Sequence, residues 1–222
     1  MKILLAPSET KTKFCDSEAI NQNSFIFPEM FDARTKILKF FEEEFDSNIF
    51  HKMTAKAMKR YDGVAFDAIS YDGLDLQARE YIDQNTIIFS NIFGPILGGD
   101  KIPFYTFKQG TKLSKINIEK YYNELFSKSL DIFVNDFAVD LRAGFYEKFY
   151  VPKIKTYTYK FIKNGKVVSH WAKFYRGILL RNMALNNVQT QEQLLQMQIE
   201  NLKVSEIFES KNKIQIVCQI IE

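Results

Sequence analysis

Three short segments of this sequence combine residue types that bind anions or transfer protons. The first is a polar loop, Pro7-Ser8-Glu9-Thr10-Lys11, which follows an apolar run at residues 2–6. Ser8, Glu9 and Lys11 together supply the groups needed to bind an anion and to move a proton. A buried strand that ends in such a loop fixes its base and leaves its tip open. The same residues also fit an ordinary solvated turn, and their spacing leaves both interpretations open.

The second segment is Asp140-Leu141-Arg142-Ala143-Gly144-Phe145-Tyr146, which follows an apolar run at residues 131–135. Asp140 and Arg142 are two residues apart, so on an extended segment their side chains point to the same side. They fit a structural ion pair. They fit equally well a guanidinium presented to an anion, with the carboxylate orienting it.

The third segment is Ser169-His170-Trp171-Ala172-Lys173-Phe174-Tyr175-Arg176-Gly177. His170 titrates near neutral pH and fits a general base or a phosphate donor, although a single histidine is more often structural. Lys173 and Arg176 are three residues apart and share one face of a helix, and Arg181 lies further along it. Cations near a helix start suit a polyanion or a nucleotide. The alternative is a basic face in contact with solvent.

The charge of the chain is concentrated around these segments. The 222 residues carry a net charge of +3, yet residues 142–181 hold ten Lys or Arg and one acid, a net charge of +9. The same window holds ten aromatic residues, including the only tryptophan, which fits nucleic-acid binding through phosphates and stacked bases. An alternating row of Tyr157, Tyr159 and Phe161 also fits a sheet core with lysines on its wet face. Residues 48–60, with Lys59 and Arg60, form a second basic segment.

Several classes of protein are excluded by composition. Cys15 and Cys218 lie near opposite ends of the chain and the sequence has two histidines, so we expect no metal site and no cofactor. Two thiols suit a reducing compartment. No apolar run approaches the length of a membrane span, and the N-terminal run is too short for a signal peptide. The sequence therefore predicts a cytoplasmic protein with no membrane partner, and it leaves the oligomeric state open.

The elements that must position these segments mix helices and strands without βαβ periodicity. We predict helices at residues 32–45, 48–60, 75–83, 117–129, 173–185 and 190–201. We predict strands at residues 2–6, 86–90, 131–135, 153–163 and 213–220, with a hairpin at Asn164-Gly165 that pairs 166–171 back. The pattern favours the α+β class: a single domain over residues 1–222, with a central, largely antiparallel or mixed sheet flanked by helices.

Five ordered blocks resemble the YaaA family of peroxide stress proteins. The blocks are Leu5 to Lys11, Ala57-Met58-Lys59-Arg60-Tyr61-Asp62-Gly63-Val64-Ala65-Phe66, Phe93-Gly94 through Asp100-Lys101-Ile102-Pro103, Asp140-Leu141-Arg142-Ala143-Gly144 with Tyr146, and Val167-Val168-Ser169-His170-Trp171-Ala172-Lys173 with Arg176-Gly177. Each block alone is weak, but five in the family's order are specific. The resemblance covers most of the chain.

The resemblance implies a cytosolic protein that responds to hydrogen peroxide and helps to keep unincorporated iron low. It also implies one compact α+β domain of unusual topology, with a positively charged cleft that binds DNA. On this sequence the cations expected to bind nucleic acid or another anion are Lys11, Lys59, Arg60, Arg142, Lys173, Arg176 and Arg181. We expect phosphate contacts to dominate, and therefore weak sequence preference.

The alternative is an enzyme acting on a nucleotide or another small anionic substrate. Its candidate residues are Ser8, Glu9, Lys11, Asp140, Arg142, His170 and Lys173. These residues come from three distant segments, so the hypothesis requires that their side chains line one pocket. The sequence contains no known nucleophile–base motif, which favours a protein without a recognised enzymatic activity.

Overall fold

A computed structural model describes residues 1–168 and 170–221, with the side chain of His170 left undescribed, and it confirms the α+β class. The strands are β1 (Lys2–Leu5), β2 (Ser17–Ala19), β3 (Met53–Lys56), β4 (Thr86–Ser90), β5 (Gly94–Leu97), β6 (Lys101–Pro103), β7 (Phe137–Asp140), β8 (Lys155–Lys163), β9 (Lys166–Val167), β10 (Leu202–Ser210) and β11 (Lys213–Ile220). The helices are α1 (Phe31–Phe45), α2 (Ala57–Arg60), α3 (Val64–Ile69), α4 (Leu76–Asn85), α5 (Ile118–Val134), α6 (His170–Leu185) and α7 (Gln191–Gln196).

The main sheet is mixed, in the order β10-β11-β8-β7-β1-β4-β5, with β9 paired to β8. Its inner strands β11, β8, β7, β1 and β4 run parallel. The edge strands β10 and β5 are antiparallel to their neighbours, and the short β9 pairs antiparallel with β8. The parallel centre agrees with the sequences of β1 and β4, which are buried apolar runs without alternation. A small antiparallel sheet, β2-β3-β6, lies beside the main sheet.

Two predicted elements differ because tertiary contacts outweigh local pattern. The helix predicted at 48–60 is the strand β3 followed by the single turn α2, and Thr54 and Ala55 of β3 are buried between β2 and β6. The strand predicted at 131–135 is the last turn of α5, which buries Leu130 and Val134. The strand that follows, β7, begins at Phe137.

The C-terminal part also differs from prediction. The helix predicted at 190–201 ends at Gln196, and residues 202–210 form the strand β10, which we did not predict. Nearly all of β10 is exposed, so its sequence carries no burial pattern. The strand predicted to pair back over 166–171 is limited to β9, and Ser169 lies outside the described residues.

Two glycines bring the first and third chemical segments to the same end of the molecule. Gly63 precedes α3 with φ 101°, and a Cβ on it would lie 2.9 Å from Thr10 Oγ1 and 3.1 Å from Ser8 Oγ. A Cβ on Gly177 of α6 would overlap the carbonyl of Ala65 in α3. The polar loop therefore packs against the start of α3, and α3 packs closely against α6.

Buried residues from both ends of the chain join one hydrophobic core, which includes Ile3 of β1 and Ile220 of β11. Among the described residues, no helix has the length and hydropathy that crossing a membrane requires.

Candidate functional site

The carboxyl ends of β1, β4 and β7 carry polar residues. These strands run parallel and pair side by side, so their ends share one edge of the sheet. The loop at residues 8–11 follows β1, Asn91 follows β4, and Asp140 ends β7. This edge is where open α/β sheets place ligands, which makes it the first place to look for a site.

Lys11 lies largely buried at this edge. Its Nζ donates to the carbonyls of Ser8 and Glu9, each at 3.1 Å, and lies 4.2 Å from the centre of the Tyr105 ring. Burial lowers the pKa of the Lys11 ammonium to about 8, against the opposing effect of Glu9, while Arg60 lowers it further. Lys11 is therefore neutral more often near neutral pH than an exposed lysine.

A chain of buried hydroxyls lies beside Lys11. Tyr61 Oη and Tyr105 Oη are 2.8 Å apart, and Tyr105 Oη is 2.8 Å from Ser90 Oγ at the end of β4. Burial raises the pKa of Tyr61 and of Tyr105, so both phenols stay protonated at neutral pH. These hydroxyls can orient a ligand or relay a proton, but the buried tyrosines do not act as bases.

Ser8 and Glu9 contribute mainly through their backbone. Ser8 Oγ is 3.0 Å from Thr10 Oγ1, and Glu9 Oε1 accepts a 3.3 Å hydrogen bond from the Gln109 amide. The Glu9 side chain is exposed, whereas the Ser8 side chain is partly buried. The structure thus brings Ser8, Glu9 and Lys11 together, with the two carbonyls rather than the two side chains facing the ammonium.

Asp140 and Arg142 form a buried ion pair. Arg142 Nη2 lies 2.7 Å from Asp140 Oδ2 and Nε lies 2.9 Å from Oδ1, with the Arg142 side chain 1% exposed. Arg142 Nη1 donates to the carbonyls of Tyr146 and Tyr150, and the guanidinium lies 4.4 Å from the Phe89 ring. Asp140 and Arg142 therefore form the ion pair that was one of the two interpretations of their spacing. The Arg142 guanidinium is not exposed, which an anion in solvent would require.

Arg60 is buried as well. Its side chain is fully buried and donates to the carbonyls of Ile102 and Thr12 and to Cys15 Sγ. Lys59 remains near the surface, where its Nζ lies 3.9 Å from Asp72. Arg60 and Arg142 therefore both lie in the interior, and anion binding by these two arginines stays a prediction.

The cations of the third segment, residues 169–177, and Arg181 beyond it differ in exposure and in partners. Lys173 is exposed, whereas Arg176 is largely buried and Arg181 donates to the carbonyls of Ile69 and Ser70 at the end of α3. Arg181 therefore satisfies the free carbonyls of a helix end, which is a structural role. The candidate base His170 has its side chain outside the described residues.

Among the candidate enzyme residues whose side chains are described, two share a cavity that the others do not line. Asp140, Arg142 and Arg176 line a cavity of about 120 Å³. Neither the loop at residues 8–11 nor Lys173 lines it. Tyr146 connects this cavity with the loop at residues 8–11. Its carbonyl accepts a hydrogen bond from Arg142. Burial raises the pKa of its phenol, and the nearby Tyr61 and Glu9 raise that pKa further.

Sequence reasoning missed Tyr61, Ser90, Tyr105 and Tyr146 as members of the site. Tyr61 and Tyr146 lie inside motif blocks, which was the available signal. Ser90 and Tyr105 carried no signal, because their contact depends on how β4 meets the loop after β6. Within residues 1–168 and 170–221, no group of three or more His, Cys, Asp or Glu side chains could hold a metal ion.

Comparisons with known proteins match most or all of the chain. A family model described as "Peroxide stress protein YaaA" matches residues 1–207. An uncharacterized protein of Campylobacter jejuni is 44% identical, with both chains covered completely. A UPF0246 protein of Corynebacterium efficiens is 30% identical, over 83% of this chain and 85% of its own. A UPF0246 protein of Corynebacterium glutamicum is 31% identical, over 84% and 86%.

Proposed function

Because this chain belongs to the YaaA family of peroxide stress proteins, we propose that it acts in the cytoplasm by binding DNA with little sequence preference. We place the contact on the hairpin–helix surface, defined here as Lys163, Lys166, Trp171 and Lys173. These residues belong to the β8–β9 hairpin and to the first turn of α6.

The observation that carries this proposal is the exposure of Trp171. The only tryptophan of the chain is 45% exposed at the start of α6, although tryptophan buries well and the core has room for many aromatic rings. Lys163 Nζ lies 5.4 Å from the centre of its ring. An exposed indole among lysines is the combination that stacks on a base while cations neutralise phosphates.

The surface replaces the cleft expected from sequence. Arg60 and Arg142 are buried, and Arg181 caps α3, so the contact with DNA rests on lysines. Lys166 and Lys173 are exposed. Lysines act as point charges toward phosphates, and phosphate contacts carry no sequence information, which agrees with weak sequence preference.

The test is fluorescence anisotropy of labelled single-stranded and duplex oligonucleotides at several salt concentrations. We expect binding that weakens roughly tenfold or more between about 50 and 200 mM salt. Trp171→Ala should weaken single-strand binding by about 1–3 kcal/mol, with a smaller effect on duplex DNA. Phe208→Ala is the matched control, because Phe208 is 55% exposed on β10, outside the surface. Binding that is independent of salt, or equal losses in both variants, would contradict the proposal.

We propose that the lowering of unincorporated iron depends on the same DNA-binding surface. The described residues offer no clustered set of hard ligands for direct sequestration. In cells exposed to peroxide, a variant with Lys166→Gln and Lys173→Gln should leave unincorporated iron high, as measured by electron paramagnetic resonance. Iron kept as low by this variant as by the wild type would separate the two roles.

A second candidate function, an enzyme acting on a small anionic substrate, is favoured by Lys11 alone. A largely buried amine whose pKa is about 8, beside protonated phenols, is typical of a catalytic group. Nucleotides and phosphorylated metabolites can be screened for turnover by NMR. Turnover that Lys11→Met abolishes and Lys13→Met retains would support this function, and an absence of turnover across the screen would count against it.

A further inference from the structure

A small polar cavity lies beside the Asp140–Arg142 ion pair. Its volume is about 120 Å³, well below the roughly 300–1,000 Å³ typical of pockets for drug-sized ligands. Three basic and two acidic side chains line it, together with threonine and glutamine: Asp140, Arg142, Glu147, Thr158, Arg176, Lys213 and Gln215. The lining therefore carries one positive charge in excess.

Arg176 is the source of that excess. Its guanidinium is largely buried, and burial lowers its pKa, with Asp140 opposing the shift. Among the described residues, Arg176 forms no hydrogen bond or ion pair. A largely buried guanidinium without hydrogen-bond acceptors is costly, and a ligand with oxygen acceptors would reduce that cost.

The acids of the cavity are already neutralised. Both oxygens of Asp140 accept hydrogen bonds from the Arg142 side chain, and Oδ1 also accepts from the Arg142 amide at 3.0 Å. Glu147 Oε1 lies 3.8 Å from Lys213 Nζ. Asp140 is shared between Arg142 and Arg176, so the lining keeps one positive charge in excess and an anion entering the cavity meets a net positive field.

Strand pairing places further polar side chains in the same row. Asp140 of β7 is level with Thr158 of β8, and Thr158 is level with Gln215 of β11. Residues level with one another on neighbouring strands present their side chains to the same face. The Thr158 hydroxyl gives only a long hydrogen bond, 3.4 Å to the Ile214 carbonyl, which it can exchange for a ligand oxygen.

We propose that this cavity binds one phosphate group, held by the Arg176 guanidinium with Gln215 and Thr158 completing its hydrogen bonds. A planar guanidinium matches two oxygens of a phosphate, and the volume admits a single such group but not a nucleotide. The inference is independent of the proposed DNA binding, because the residues that line this cavity do not belong to the hairpin–helix surface.

The first experiment is titration calorimetry with inorganic phosphate, accompanied by thermal unfolding. The wild type should bind phosphate saturably, with a Tm that rises with phosphate concentration. Arg176→Gln should weaken binding at least tenfold, and Lys203→Gln, an exposed change on β10, should leave it unchanged. Circular dichroism establishes that each variant is folded. If Arg176→Gln does not fold, Gln215→Leu serves as the second variant and should weaken binding several-fold.

The second experiment identifies the source of the phosphate. If the group belongs to the DNA backbone, inorganic phosphate should compete with labelled oligonucleotide, and Arg176→Gln should weaken both kinds of binding. If the site instead binds phosphate that is not part of DNA, Arg176→Gln should lose phosphate binding and retain DNA binding. Absence of phosphate binding by the wild type, or equal binding by Arg176→Gln, would overturn the site whatever the DNA result.

Discussion

The molecule uses its cations in two ways, inward and outward. Arg34, Arg60 and Arg142 point into the core, whereas Lys166 and Lys173 extend into solvent at the hairpin–helix surface. Arginine supplies the inward group because its planar fork can satisfy several fixed acceptors at once. Lysine supplies the outward group because it keeps a hydrated charge on a flexible stem.

Arg34 shows how completely the inward group is satisfied. Its guanidinium donates to the carbonyls of Phe27, Phe93 and Pro95 and lies 4.4 Å from the Phe25 ring. Burial lowers its pKa to about 10, yet it stays charged at neutral pH. A count of charges along the sequence therefore includes two kinds of cation. Some are buried and bind backbone carbonyls, and others are exposed and available to bind a partner.

The largest expected effect comes from removing an inward cation. Arg142→Met leaves Asp140 buried without a partner and two carbonyls without donors, so the free energy of unfolding should fall by about 3–5 kcal/mol. Urea unfolding measures this loss. Arg142→Lys keeps the charge without the fork and should also destabilise. A loss below about 1 kcal/mol for Arg142→Met would show that the pair is not a structural element.

Lys11 tests the comparison because it is a lysine in the inward group. Its folded pKa, about 8, is below the unfolded value of 10.5, so the folded chain binds fewer protons between these values. Stability should therefore rise with pH above 8, by up to about 1.4 kcal/mol per unit, and should be lost as pH falls through 8. Measurements must stay below about pH 9, because unfolded tyrosines, whose pKa is 10.0, are already half ionised at pH 10. Urea unfolding of Lys11→Met should lack this rise, and Lys13→Met should retain it.

Removing outward cations should change binding without changing stability. The double variant Lys166→Gln, Lys173→Gln should weaken DNA binding about tenfold and reduce the slope of log affinity against log salt by about 2. Its free energy of unfolding should stay within about 0.5 kcal/mol of the wild type. Anisotropy and urea unfolding on the same preparations give both quantities. A loss of stability that matched the loss of affinity would remove the distinction between the two groups.

Lys59 should give the smallest effect, because it belongs fully to neither group. Its ion pair with Asp72 spans 3.9 Å, and the Asp72 side chain is 79% exposed. Lys59→Gln should change the free energy of unfolding by less than about 1 kcal/mol. It should also leave DNA affinity within about twofold, because Lys59 is outside the hairpin–helix surface. A tenfold loss of affinity would extend that surface to α2.

The sequence predicted those elements whose burial pattern is local. The strands at 2–6, 86–90, 153–163 and 213–220 are confirmed, because apolar runs or alternation mark them. The strand β10 was not predicted because both of its faces are largely exposed. The strand β3 was not predicted because its burial depends on pairing with β2 and β6. Short-range geometry likewise predicted that Asp140 and Arg142 point together. Their burial required Phe89 and Tyr150 from other parts of the chain, which no spacing reveals.

Trp171 also determines what can be observed spectroscopically. One indole, 45% exposed beside Phe174 and Tyr175, dominates the intrinsic emission of a chain whose other strong chromophores are eleven tyrosines, most of them in the core. Tryptophan emission therefore reports on the first turn of α6, whereas the near-ultraviolet signal of the tyrosines reports on core packing. Loss of the tryptophan signal at a lower denaturant concentration than the tyrosine signal would show that the first turn of α6 opens before the core unfolds.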